Sequence, residues 1–178
     1  MTHPSEPSPD AAINAMLSVL RDMEFSVTTP PDGAVLAPGI RLSLDPSSRT
    51  AATVESRPGQ LLAARFAVAG SARWLALHLQ LGPLDLAGRR LFGFVSRMSA
   101  PQFTSIRPCL RSGTEGGFAD TFFGKVIASG PEQSLHLDVL RTDEAAELAR
   151  PSPWRELVLF LRPESGAVDL ADLRIFII

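Results

Sequence analysis

The last stretch of the chain, Trp154 to Ile178, carries the strongest constraint on what this sequence can fold into. Leu157, Leu159 and Leu161 alternate with Glu156, Val158, Phe160 and Arg162, and Leu173, Ile175 and Ile177 alternate with Arg174, Phe176 and Ile178. A period of two puts successive side chains on opposite faces of a strand. Between the two runs, Pro163-Glu164-Ser165-Gly166 supplies turn chemistry, Pro fixing one φ and Gly free to take a positive one. An apolar strand that runs to the final residue has to be tied into a sheet. The chain therefore closes on a β-hairpin or a wider two-strand excursion.

The same period recurs upstream. Ile40, Leu42 and Leu44 alternate, and Ala51 to Glu55 and Leu61 to Val68 read as further strands. In RWLALHLQLG, Leu75, Leu77, Leu79 and Leu81 occupy one face and Trp74, Ala76, His78 and Gln80 the other. RLFGFVSRM follows, with Gly93 marking a bulge or a close crossing. Ile106, Pro108 and Leu110 oppose Arg107, Cys109 and Arg111, and Pro108, lacking an amide hydrogen, asks for an edge position or a bulge. SGTEGGFAD reads as a Gly-rich loop, FFGKVIA as a strand, and SLHLDVL as a strand with Leu135, Leu137 and Val139 inward. Ten or so strands without helices between them exclude a parallel α/β fold.

One helix is expected before them. DAAINAMLSVLRDMEF puts Ile13, Leu17 and Leu20 on one stripe, with Asp10 as N-cap. Met1 to Pro9 is expected to be a disordered lead, and Thr28 to Gly39 a loop. The expected organisation is thus 1–27 for lead plus helix and 28–178 for a single β-sandwich domain. The class is all-β: an antiparallel, jelly-roll-like β-sandwich with one N-terminal amphipathic helix. The helix either packs across the sheet or is offered to a protein partner or a second copy of the chain.

Composition narrows the function classes. The formal net charge of −2 gives no basic field for nucleic acid. No run of roughly 18 apolar residues is present to span a membrane as a helix. MTHPSEPSPDAAINAML lacks the pattern of a signal peptide, and Cys109 is the only cysteine, so a cytoplasmic address is expected. Neither a G-x-S-x-G elbow nor a phosphate-binding glycine motif occurs, which argues against a hydrolase or a nucleotide enzyme.

From Arg73 onward the order of signals resembles the jelly-roll β-sandwich of galactose-binding-like domains and carbohydrate-binding modules. The residues that carry it are the strand WLALHLQL, the turn and strand LDLAGRRLFGFV, the basic strand IRPCLRS, and the close WRELVLFL with GAVDLADLRIFII. Trp154 opens a late strand and Asp172 precedes the last one, as in those modules. The resemblance implies a non-enzymatic binding function, commonly for sugars, frequently with a structural calcium. Asp169 and Asp172 are candidate oxygen donors for it together with backbone carbonyls, and ordinary turn and strand-entry roles are the alternative for both.

The residues give a matching candidate site. Trp74, His78 and Gln80 share one strand face, Arg107 and Arg111 can join them, and His136 and Asp138 belong if SLHLDVL is in the same sheet. A polyol needs an apolar platform for its ring and directional donors and acceptors for its hydroxyls. The plain alternative is the wet outer face of an ordinary sheet. Two other functional readings stay open: a structural or regulatory protein-interaction domain with no small ligand, and an enzyme using His78, His136 and Asp138.

Overall fold

A computed structural model describes residues 8–28, 30–148 and 151–178. It shows two stacked antiparallel sheets and one helix. The first sheet runs in the order β1 (Phe25–Thr28), β4 (Ala51–Arg57), β5 (Gln60–Ala67), β13 (Gly166–Ile177), β7 (Leu91–Ser99), β11 (Ser134–Arg141). The second runs β10 (Ile127–Ser129), β8 (Thr104–Thr114), β12 (Arg155–Phe160), β6 (Leu75–Gly82), β3 (Ile40–Leu44), β2 (Val35–Ala37). The short β9 (Gly117–Phe122) pairs with β8 beyond the end of β10. No helix among the described residues is long and apolar enough to cross a membrane.

The expected all-β sandwich is present, and its core is the layer of alternating residues read from the sequence. Leu42, Leu75, Leu157, Leu159, Leu170, Leu173 and Ile175 are all buried between the sheets. The closing pair takes the wider of its two expected forms. β12 lies in the second sheet and β13 in the first, so the Pro163–Gly166 turn carries the chain across the sandwich rather than closing a hairpin. At Gly93 the expected close crossing is real: the ring of Phe176 lies so near that a Cβ would sit 2.2 Å from its Cζ.

Several boundaries differ from the sequence reading. The helix α1 spans Pro9–Asp22, with Ser8 rather than Asp10 at the N-cap and Pro9 in the first turn, where a missing amide costs nothing. Phe25, expected to end the helix, and Thr28, expected to open a loop, both belong to β1, which pairs with β4, so the 27/28 position stands inside a strand. The first seven residues of the expected lead lie outside the described residues. The stretch taken as a Gly-rich loop is a hairpin: β8 runs on to Thr114, Glu115 and Gly116 turn the chain, and β9 returns. FFGKVIA is split between the end of β9 and β10. Pro108 stands where that split leaves β8 partly unpaired, its carbonyl accepting only the Phe123 amide at 3.2 Å.

β11 also faces the other way. Leu135 and Leu137 are 71% and 48% exposed, while Asp138 and Leu140 are buried. The register explains it: Leu137 opposes Val95 on the outer side of β7, whereas Asp138 opposes the buried Phe94. The Asp138 carboxylate accepts the amides of Lys125 and Val139, both at 2.8 Å, which satisfies it under the chain segment that covers this edge.

Helix α1 completes the sandwich. β5 pairs with β13 only as far as Leu170, which leaves the second half of β13 open on that side. Asn14 fills the gap: its Nδ2 donates to the Ile175 carbonyl at 2.7 Å and its Oδ1 accepts the Ile175 amide at 3.0 Å. One side chain thereby imitates a neighbouring strand. Ile13, Leu17 and Leu20 enter the core from the same helix, so of the two expected uses of the stripe the structure shows packing on the sheet and gives no support to a partner contact through it. Asn14→Ala should lower the unfolding free energy by about 2 kcal/mol, because it strips both partners from a partly buried backbone pair. Urea denaturation reads this, and a loss under about 0.5 kcal/mol would show that Asn14 is not what closes the gap.

Candidate functional site

The outer face of the second sheet gathers polar and aromatic side chains in cross-strand rows. Arg41 on β3 opposes His78 on β6, His78 opposes Val158 on β12, Val158 opposes Cys109 on β8, and Cys109 opposes Phe122 on β9. The next row is Gln80, Glu156, Arg111 and Asp120. A third is Ser43, Ala76, Phe160 and Arg107. Beyond them Trp154 lies against Gly113, where a Cβ would meet its Nε1 at 2.4 Å, and Gly113 opposes Phe118. Each strand places these residues outward because its alternate leucines point into the core.

The charged groups are held firmly. Glu156 is buried and accepts from Arg41 Nη2 with both oxygens, at 2.9 and 3.1 Å. Its Oε2 also lies 2.8 Å from His78 Nδ1. A carboxylate can only accept, so His78 carries a proton on Nδ1 and the 3.3 Å approach of Arg41 to that nitrogen is a contact rather than a hydrogen bond. Burial pushes the Glu156 carboxyl up, but the hydrogen bonds from His78 and Arg41 outweigh it, and the net shift is below the ordinary glutamate value. Arg111 grips Asp120 in a two-pronged pair, Nε to Oδ1 and Nη2 to Oδ2 both at 2.7 Å, with its guanidinium 3.9 Å above the Phe118 ring. Trp74 donates from Nε1 to Ser43 Oγ at 3.2 Å and is covered by Arg73, itself anchored on the buried Asp45.

Of the residues singled out in the sequence, Trp74, His78, Gln80, Arg107 and Arg111 share this face. His136 and Asp138 do not join them, because β11 belongs to the other sheet and turns both toward the interior. His136 packs on Phe94, 5.7 Å between ring centres, and burial pulls its pKa down. The separation removes the proposed catalytic grouping of His78, His136 and Asp138. Asp169 and Asp172 form no ligand cluster with a third metal-binding side chain among the described residues. Asp172 instead pairs with Arg21 and Arg174 and accepts the Leu173 amide. Cys109 is fully buried, and burial pushes its thiol up, out of reach of thiolate chemistry.

Sequence reasoning missed Arg41, Glu156, Phe118, Asp120, Phe122 and Phe160. Glu156 and Phe160 were readable as the non-leucine side of the closing run, and the alternation of Phe118, Asp120 and Phe122 was hidden behind paired glycines.

No family model matches the chain, and no curated protein does. Solved structures do. A family 11 carbohydrate-binding module of a cellulosomal cellulase from Clostridium thermocellum superimposes with a TM-score of 0.55 at 9% identity, covering 87% of this chain and 95% of that one. The fold is similar to that of the β-sandwich carbohydrate-binding modules. A family 4 module gives 0.55 at 10% identity over 85% and 95% of the two chains. A family 30 module of another Clostridium thermocellum cellulase gives 0.52 at 14% identity over 87% and 93%.

Because Glu156 titrates below its ordinary value of 4.5 when folded, its contribution to stability is fully present above that pH and is lost as pH falls through the lower folded value. Glu156→Gln should cost about 1 to 3 kcal/mol at pH 7 and flatten the acid limb of the stability curve below pH 4.5. Equilibrium denaturation between pH 3 and 7, on the order of one-unit steps, tests it, and parallel curves for the two proteins would show that the carboxylate is not buried against His78.

Proposed function

We propose that this chain is a non-enzymatic carbohydrate-binding module whose ligand lies across the outer face of the second sheet. The observation that carries the reading is five aromatic rings, Trp74, Trp154, Phe118, Phe122 and Phe160, set on one sheet face among fixed polar groups. Phe118 is 55% exposed, and Phe122 and Trp154 are each 37% exposed, which is ring surface that a globular domain ordinarily covers. Phe122 and Phe160 stand 5.9 Å apart at 34°, close enough to form a continuous platform. Sugar rings present apolar C–H faces that stack on such platforms, while Gln80, Asp120 and the guanidiniums meet hydroxyls along their edges.

Two further points support it. The fold is shared with modules described as carbohydrate-binding, among them a family 11 module solved with a β-1,3-1,4-mixed-linked tetrasaccharide. Arg41, His78 and Glu156, and likewise Arg111 and Asp120, are also already paired with one another, so they keep their positions before a ligand arrives, and binding then forfeits little of their side-chain freedom. Nothing in the face requires bond breaking: the carboxylates of its central row, Glu156 and Asp120, are each locked to a guanidinium, which leaves neither poised as a general acid.

Titration calorimetry against a panel of neutral and acidic oligosaccharides of plant and bacterial type tests the proposal. Phe122→Ala and Trp154→Ala should each weaken the best ligand by about tenfold, the loss of one stacking contact. Binding that is indifferent to both substitutions would put the ligand elsewhere, and no binding across the panel would end the carbohydrate reading.

A further inference from the structure

Charge on the outer face is almost wholly compensated, and the exception is informative. Arg41 is neutralised by Glu156, Arg111 by Asp120, Arg73 by Asp45 and Arg162 by Glu164. Arg107 has no carboxylate and no hydrogen-bond acceptor among the described residues; its one contact is with a ring. It is exposed, and its guanidinium is held 4.0 Å above the ring of Phe122. Phe160, its cross-strand neighbour on β12, brings a second ring beside it. The side chain is thus placed by stacking alone, with all its N–H donors unspent.

Position sharpens this. Arg107 stands where β8 lacks a full partner, between the pairing of Ile106 with Ile127 and that of Cys109 with Phe122. No acidic side chain opposes it from β12, where the facing residue is Phe160. Arg107 covers one face of Phe122, so a sugar ring laid on Phe160 and the other side of Phe122 lies beside an unpaired guanidinium. Neutral hydroxyls gain little from such a group, whereas a carboxylate or sulfate matches its planar fork and its charge.

We infer that this face selects an anionic saccharide, with Arg107 reading the acidic substituent of a sugar stacked on Phe122 and Phe160. The inference rests on the carbohydrate-binding reading and goes beyond it in naming the ligand class.

The test compares matched ligands on the intact chain. Oligogalacturonate, alginate and glucuronoxylan oligosaccharides are titrated against their carboxyl-reduced counterparts, and carrageenan oligosaccharides against the desulfated form. At least one acidic member should bind about tenfold tighter than its neutral twin, with the carboxylate and sulfate arms showing which anion is preferred. That preference should shrink as salt is raised. In Arg107→Gln the ratio of acidic to neutral affinity should fall to about one, with Arg107→Lys intermediate because it keeps the charge and loses the fork. The ratio reports selectivity whatever a substitution does to overall affinity or stability. Neutral ligands binding as well as their acidic twins would overturn the inference while leaving the carbohydrate reading standing. A preference that survives Arg107→Gln would overturn the role of Arg107, and no binding by either kind would remove both readings together.

Discussion

Strand β12 is hydrogen-bonded along both edges, to β6 on one side and β8 on the other, and the candidate site depends on that double register. Leu157 and Leu159 must enter the core, so Glu156, Val158 and Phe160 have to face outward. A slip of one residue would bury a carboxylate among leucines and expose the leucines instead, a change no neighbouring group could offset. The same register brings Glu156 between Gln80 and Arg111, and Phe160 between Ala76 and Arg107. The geometry of the face is therefore a by-product of packing the core, which is why its polar groups need no flexible loop to position them.

Burial of charge on this face follows a consistent logic. Glu156 and His78 are both nearly inaccessible, and each would be costly alone in a low-dielectric setting. Together with Arg41 they form a closed set in which the carboxylate accepts from both partners. Arg155 shows the opposite side of the same sheet. It is buried in the sandwich, where its Nε donates to the Leu84 carbonyl at 2.7 Å and its Nη1 to Ser112 Oγ, and burial draws its guanidinium down to about 10, still charged at neutral pH. Consecutive residues of a strand point to opposite faces, so Arg155 serves the inside of the sheet and Glu156 the outside.

Faces were legible in the sequence, and neighbours were not. The leucine run in β6 announced its inner side, and with it the outward placement of Trp74, His78 and Gln80, because period-two alternation is a local property. Which strand lies beside which is decided by packing between distant segments, so nothing local could reveal that β11 joins β7 rather than β6. That strand also turns Leu135 and Leu137 outward and His136 and Asp138 inward. Hydrophobicity alone chose the wrong side. The structure buries Asp138 because backbone amides of Lys125 and Val139 satisfy it, a compensation invisible without coordinates. Strand β9 went unread for a different reason: Gly116 and Gly117 signalled a loop, whereas Glu115 and Gly116 turn a tight hairpin and Gly117 starts the returning strand at a φ of +143°.

The way Asn14 occupies the open flank of β13 closes one route to self-association. An exposed run of unpaired amides and carbonyls in the middle of a sheet is a template onto which a stranger's extended backbone can zip, and isolated sandwiches of this kind are prone to do so. Here the flank is shut by a helix whose own backbone is already satisfied and so offers no onward template. Growth by strand addition is interrupted at that flank, and the protection comes from a segment that contributes no strand to either sheet.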